Sequence, residues 1–250
     1  MHNLTIASLN VHNDYKSLNE EMPRKLAGII RDNEIDVFCA QEMTFGYRDI
    51  LREELPDYSF NGLARYGDDL RQGNELCTII TRLPKVSSKT RWLSNSPDKV
   101  GSKFVLSWCP RIMTSVITEF GLEIINLHLD NVLRYTRKKQ LKVLSSILKE
   151  DPRTRRPRII TGDFNTLEYL SDDGQISAEK VQYFEEFKEE MSNYGLRHMD
   201  IEGGTFKMFG HERTTDHMFI PDAWTVTGRN VVDTGVSDHK MILAKVKTLY

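Results

Sequence analysis

Six apolar stretches of this 250-residue chain break off in acids, amides or histidines. LTIASLN closes on Asn10, IDVFCAQE on Glu42, and EIINLHLD on His128 and Asp130, with Asn131 next. RIITGDFN closes on Asp163 and Asn165, TTDHMFI embeds Asp216 and His217, and GVSDHKMI opens on Asp238 and His239. One Asn or Asp after a strand is commonly a turn or a helix cap. Six such ends built from one residue set point instead to a shared polar site. Strand alternation puts His128 and Asp130 on one face, and Asp163 and Asn165 on one face. Asp238 and His239 are adjacent, so a turn must aim both. If Glu42, Asp163 and Asp238 meet in one cleft, they repel. Two like charges ~4 Å apart cost on the order of 4 kcal/mol at an effective dielectric of ~20. Either their pKa values rise or a cation sits among them. An oxygen-rich set favours Mg²⁺ or Mn²⁺, whereas zinc wants closely spaced His and Cys.

The elements that must position these residues are readable in outline. Strands are expected at 4–10, 35–41, 76–82 and 111–120, from apolar or β-branched runs. Gly121 allows a turn into a hairpin partner at 122–129. Further strands are expected at 158–165, 214–221, 224–232 and 239–246. Helical spacing appears in RKLAGIIRD, at 132–149 and, more polar, at 175–193. Hairpins mixed with helices predict α+β layers, and no linker or repeat divides residues 1–250, so one domain is expected.

Composition limits the function classes. Hydrophobic residues are 39% of the chain, and 34 Lys and Arg against 36 Asp and Glu leave a charge of −2. A chain coating nucleic acid by charge alone is excluded. No apolar run reaches membrane length, and the start lacks the pattern of a secretory signal. Cys39, Cys77 and Cys109 are too scattered for a disulfide framework. A cytoplasmic protein is expected. Charge is uneven, because residues 134–158 hold ten Lys and Arg against Glu150 and Asp151. That segment is either a solvated face or a landing strip for phosphates. Within it, Arg137 falls on the apolar face with Leu133, Leu141, Leu144 and Leu148, so it needs a buried partner.

In this order, SLNVHN, DVFCAQE, GNELCTII, NLHLD, TGDFN, TTDHMFI and VSDHKMI resemble the endonuclease/exonuclease/phosphatase superfamily of metal-dependent phosphoesterases. The resemblance implies a four-layer αββα sandwich with two packed mixed sheets. It implies that Glu42 is the principal metal ligand, helped by Asn10, with Asp238 a further metal-side carboxylate. Asp163 is implied to position or deprotonate the attacking water, and Asn165 to hold the phosphate or nucleophile beside it. His239, paired with Asp216, and His128, paired with Glu75, are implied phosphate contacts. Both pairings are expected to raise the histidine pKa. His217 alternates away from Asp216 and is expected to pack.

The stretch RWLSNSPDKVGSKFVLSWCPRIMTSV is similar to a deadenylase-like and small bacterial phosphoesterase branch. There Arg111 is a candidate phosphate clamp, with Asp130 and Asn131 as further substrate contacts. The expected cofactor is Mg²⁺ or Mn²⁺. The expected substrate is a small phosphorylated metabolite or nucleotide, with no membrane partner and the oligomeric state open. A second reading is a nuclease on single-stranded DNA or RNA, using the 134–158 segment and stacking by Tyr47, Tyr66 or Trp108. A third is an inactive binding protein on the same scaffold.

Overall fold

The computed structural model describes residues 2–12, 19–150, 156–166, 178–208 and 211–249, with backbone alone at 178–181, 208 and 211. The N-terminal half runs β1 (Asn3–Asn10), α1 (Glu21–Asp32), β2 (Val37–Met43), α2 (Phe45–Glu54), β3 (Ser59–Asn61), β4 (Leu76–Thr81), β5 (Lys85–Trp92), β6 (Ile112–Thr118) and β7 (Glu123–His128). Then follow α3 (Arg134–Lys149), β8 (Arg158–Asp163), α4 (Ala178–Ser192) and β9 (Leu196–His198). The last strands are β10 (Phe206–Met208), β11 (His211–Arg213), β12 (Asp216–Pro221), β13 (Thr225–Val232) and β14 (Met241–Lys247).

Two six-stranded sheets result, ordered β13-β14-β1-β2-β4-β3 and β5-β6-β7-β8-β12-β9, and β10 and β11 form a separate hairpin. Each sheet carries one parallel pair, β1 with β2 and β7 with β8, among antiparallel neighbours. Alternation sorts the side chains into layers. Ile6, Val37, Cys39, Ile124, Ile159, Met218 and Ile242 fill the space between the sheets. Ala7, Leu9 and Phe38 pack outward with Leu26 and Ile30 of α1 and Leu51 of α2. Ile125, Leu127 and Ile160 pack outward with Leu141 and Leu144 of α3 and Phe184 and Phe187 of α4. This is the expected four-layer αββα sandwich.

Several elements lie outside the expected set. Strand β5 is a polar edge strand, exposed from Lys85 to Lys89, so it shows no period-2 pattern. Helix α2 is ten residues long and starts where the Thr44 hydroxyl accepts from the Tyr47 N–H at 3.4 Å. Strands β3, β9, β10 and β11 have three residues each, too few to show periodicity. The α4 expectation began at 175, and residues 175–177 lie outside the described residues.

The space between the sheets changes character along the strands. Past its apolar part it meets Ser8, Gln41, Thr78, Asn126 and Thr161, all buried. Asn126 of β7 donates to the carbonyls of Ala40 and Thr78 in the opposite sheet, both at 2.9 Å. Its Oδ1 accepts from Gln41 at 2.7 Å, and Gln41 also donates to Ser8 Oγ at 3.2 Å. These hydrogen bonds replace the water that a buried amide gives up. Beyond this seam polar residues line the space, beside a small apolar cluster of Cys77, Trp92 and Ile112.

Gly162 in β8 lets the parallel pair close up at that point. Its φ is +140°, and a Cβ there would lie 2.0 Å from the Leu127 carbonyl oxygen. Neither the backbone angle nor the space admits a side chain. Gly162→Ala should therefore cost about 3 kcal/mol or more. Denaturant unfolding checks this; a loss under ~1 kcal/mol would mean that β7 and β8 tolerate separation.

Candidate active site

The polar end of the inter-sheet space opens into a cavity of ≈ 630 Å³. The cavity is lined from both sheets, by Asn10, Glu42 and Asp238 on one side and His128, Asp163 and Asn165 on the other. Strict alternation along β2 would send Gln41 inward and Glu42 toward the helices. A bulge between Ala40 and Met43, with Glu42 at φ 56°, inserts one residue and turns Glu42 to the cleft. Asn165 also has positive φ, 50°, and its N–H bonds Asp163 Oδ1 at 2.9 Å. Asn tolerates that conformation, and the turn lets β8 end on two site residues.

Glu42, Asp163 and His128 converge, each offering a ligand atom within 4.8 Å of the others. The Asn10 amide nitrogen lies between the carboxylates, 3.1 Å from Glu42 Oε1 and 3.0 Å from Asp163 Oδ2. Burial raises the Glu42 carboxyl, but the His12 hydrogen bond, the Asn10 amide and the charge of Arg65 hold it well below the usual range. Burial and the neighbouring Asp216 push Asp163 up to about 7. Asp163 is buried and Glu42 half-buried, and the amide between them is neutral, so the gap between the two carboxylates could take a cation. Arg111 Nη1 lies 3.2 Å and 2.9 Å from the two ring nitrogens of His128, which leaves the oxygens as the available donors. That donor chemistry suits Mg²⁺ or Mn²⁺.

The two histidines end in opposite states. His239 Nδ1 is 2.9 Å from Asp216 Oδ2, and Asp216 also accepts from Thr205 at 2.7 Å and Thr215 at 3.1 Å. Burial opposes charge on His239, but Asp216, Asp163 and Asp238 push it up to about 10. His128 goes the other way. Burial, then Arg111 and Arg65, hold it well below its usual value. The site thus pairs a cationic imidazole with a neutral one. The Ser237 hydroxyl accepts from the His239 N–H at 3.0 Å and donates to the Asn10 carbonyl at 2.6 Å, forming the turn that aims Asp238 and His239.

Three expectations are corrected, and Asp238 is located at the cavity rim. Glu75 does not partner His128; it forms an ion pair with Arg65, whose Nη2 lies 3.4 Å from His128 Nδ1. His128 is buried and meets the guanidinia of Arg111 and Arg65 as well as the carboxylates of Glu42 and Asp163, at 3.7 and 3.6 Å; burial first, then the two guanidinia, lower its pKa instead of raising it. Asp130 does not line the cavity. Its Oδ1 accepts from the Val132 and Leu133 N–H groups at 3.0 and 2.8 Å, capping the approach to α3. Asp238 belongs to neither acid–histidine convergence among the described residues; it stands half-exposed at the rim, 3.6 Å from His12 Nδ1. Tyr47 is buried on α2 and offers no stacking surface.

The remaining residues fall as follows. Arg111 is buried, lines the cavity, and donates through Nη2 to Asn131 Oδ1 at 2.8 Å. Asn165 commits its amide nitrogen to the Leu129 carbonyl at 3.1 Å. Arg137 has buried partners, the Asp130 carbonyl at 2.9 Å and the Tyr183 hydroxyl at 3.2 Å. His217 packs against Phe164 and Phe184 and bonds His198 at 3.1 Å. Along α3, Lys138 and Lys149 face Glu186 and Glu190 of α4, at 3.6 and 3.2 Å. Arg153 and Arg155 of the basic segment lie outside the described residues, and Trp108 is exposed at the cavity mouth. Arg65 was not foreseen. Its signal is an Arg between Ala64 and Tyr66 in a loop, ten residues before Glu75, which strand patterns do not register.

The family model for the Endonuclease/Exonuclease/phosphatase family matches residues 7–239. No curated protein matches the chain significantly. Among solved structures, an endonuclease/exonuclease/phosphatase from Bacteroides vulgatus is 23% identical, with 99% of each chain covered and a TM-score of 0.77. A mannosyl-6-phosphatase of Bacteroides thetaiotaomicron VPI-5482 is 24% identical, with 98% of this chain and 100% of that one covered and a TM-score of 0.77. D. rerio TDP2 complexed with a single-strand DNA product is 18% identical, with 98% and 99% covered and a TM-score of 0.66. No described helix is long and apolar enough to cross a membrane.

The Asp163 carboxylate, which titrates near neutral pH, is also a candidate metal ligand. Between pH 6.5 and 9 the folded chain holds more protons than the unfolded one, since His239 keeps its proton up to about 10 and Asp163 up to about 7. Stability of the metal-free protein should therefore fall as pH rises across that window. Mg²⁺ or Mn²⁺ competes with the Asp163 proton, so it should raise Tm more at pH 8 than at pH 6. Scanning fluorimetry with EDTA or metal measures both. A metal-free Tm that climbs from pH 6.5 to 9, or equal metal shifts at the two pH values, contradicts this electrostatic assignment.

Proposed function

Because the chain belongs to the endonuclease/exonuclease/phosphatase family, we propose that it hydrolyses a phosphate ester with the help of a divalent cation, Mg²⁺ or Mn²⁺. The observation that carries this reading is the convergence of the Glu42 and Asp163 carboxylates from opposite sheets beside a histidine held cationic by Asp216. Glu42, with Asn10, is the metal-holding group in this reading. A bound ion there would neutralise phosphate oxygens and ease deprotonation of a water.

The side chains divide the rest of the work. Asp163 accepts the proton of the attacking water, and a pKa of about 7 suits a base near neutral pH. Water oxygen bonds to phosphorus as the ester P–O bond breaks. His239, oriented by Asp216, donates to a non-bridging oxygen and stabilises the charge that builds up. Arg111, steadied by Asn131, gives a second cationic contact, a guanidinium on the opposite wall. His128 is neutral and serves as a hydrogen-bonding wall between Arg111 and the carboxylates.

A small phosphorylated molecule is the favoured substrate. The carrying observation is that two of the four lysines of α3, Lys138 and Lys149, are matched by acids of α4, which leaves less free positive charge to track a nucleic-acid backbone. The likeness to a mannosyl-6-phosphatase supports this reading. Nuclease action on a single strand is the second reading, supported by exposed Trp108 at the mouth and by the DNA-bound relative.

A panel of sugar phosphates, nucleotides, bis-p-nitrophenyl phosphate and single-stranded oligonucleotides, each with Mg²⁺, Mn²⁺ or EDTA, tests the proposal. Turnover should require the metal, and full activity in EDTA would remove the metal role. Asp163→Ala and His239→Ala should each lower kcat by about a hundredfold or more with the fold intact by circular dichroism. A near-wild-type rate in either would reject its assigned role.

A further inference from the structure

The β10–β11 hairpin stands over the site and is firmly anchored. Thr205, at its base, donates its hydroxyl to Asp216 and accepts at its carbonyl from the Lys240 N–H at 2.6 Å. Lys240 Nζ also takes Glu212 Oε1 at 2.6 Å. Gly204 is packed so closely that a Cβ would lie 2.6 Å from Glu212 Cβ. Phe206 of β10 stacks on the His239 ring, centroids 4.5 Å apart and planes 25° apart.

Directly across from Phe206 in β11 is Arg213. Cross-strand partners project from the same face of a hairpin. Arg213 therefore emerges beside Phe206, and it lines the same cavity as Glu42 and Asp163. Its Nε is buried without a hydrogen-bond partner. Its side chain makes no ion pair or hydrogen bond with the described residues, and Glu212, the nearest acid in sequence, is taken by Lys240. Three other cavity arginines are engaged by named partners: Arg65 by Glu75, Arg111 by His128 and Asn131, and Arg137 by a carbonyl and Tyr183. Burying a guanidinium N–H without an acceptor is costly, so an acceptor belongs there when the site is filled. The bridge from Phe206 to His239 and the pairing of Phe206 with Arg213 set the His239 and Arg213 backbones two strand spacings apart, roughly 10 Å, with Phe206 between them, which points to an acceptor other than the phosphate on His239.

We propose that Arg213 binds a second anionic group, a phosphate or carboxylate on the leaving portion of the ester, and so selects phosphoesters with two separated anionic groups over simple monoesters. This rests on the phosphoesterase reading above and narrows its substrate class. A guanidinium suits both oxyanions because it presents paired donors in one plane.

The test compares kcat/KM for glucose 6-phosphate, glucose 1,6-bisphosphate and 6-phosphogluconate in the wild-type protein, Arg213→Gln and Arg213→Lys. The wild type should favour at least one bis-anionic substrate by about tenfold to a hundredfold. The bisphosphate and the carboxylate arms tell the two anions apart. Arg213→Gln should abolish the preference, and Arg213→Lys should keep part of it. Equal wild-type rates on all three, or a Gln variant that slows all three equally, would overturn the assignment. Titration calorimetry of the metal-free protein with glucose 1,6-bisphosphate and glucose 6-phosphate adds a readout independent of turnover. An Arg213-dependent preference in binding without hydrolysis would support the anion site while removing the phosphoesterase reading.

Discussion

Everything at the site depends on how two sheets that share one dry face come to end in a wet one. The sheets are joined by apolar packing over most of their length, and such packing has no direction of its own. Asn126 supplies the direction. Fully buried, it spans the gap and spends both amide hydrogens on carbonyls of the opposite sheet, while Gln41 satisfies its oxygen. Sliding one sheet past the other would strand these groups without water, at a cost far above that of sliding apolar side chains. The seam therefore sets the separation and register at which Glu42 and Asn10 face Asp163 and His128.

From that register the electrostatics follow. Carboxylates from opposite sheets meet in a buried space, and the histidines beside them are divided by their neighbours. Three acids surround His239, whereas two guanidinia adjoin His128. The same residue type thus supplies a fixed positive charge at one wall and a neutral ring at the other. The charge pattern belongs to burial and to the groups that touch the rings, Asp216, Arg65 and Arg111, rather than to the histidines themselves.

The layered fold and the strand-end residues could be read from the chain because buried strands advertise themselves. An apolar run that stops at a His, Asp or Asn marks both an element and the edge of its hydrophobic layer. Alternation then told His217 from Asp216 correctly, one to the helix side and one to the cleft. The same logic misplaced Asp130, because the strand ends at His128 and the chain turns into the cap of α3 before Asp130 can share a face with it. Partners delivered by loops escaped it altogether. Nothing near Glu75 in sequence shows that Arg65 folds back upon it, and a three-residue strand is too short to announce Arg213. Edge strand β5, wetted along most of its length, carries no buried face to read.

The bulge in β2 makes the number of residues as binding as their kind. Pairing with β1 fixes Ser8 opposite Cys39 and Asn10 opposite Gln41, and Met43 rejoins the ladder opposite Leu76. One extra residue, Glu42, is carried between those fixed points. Deleting Met43 would restore a regular pleat and leave the acid facing the helices, with every remaining residue type unchanged. A chain could thus keep the whole motif in order and still lose its cleft carboxylate through a single-codon deletion, so spacing across 41–43 is inherited information in its own right.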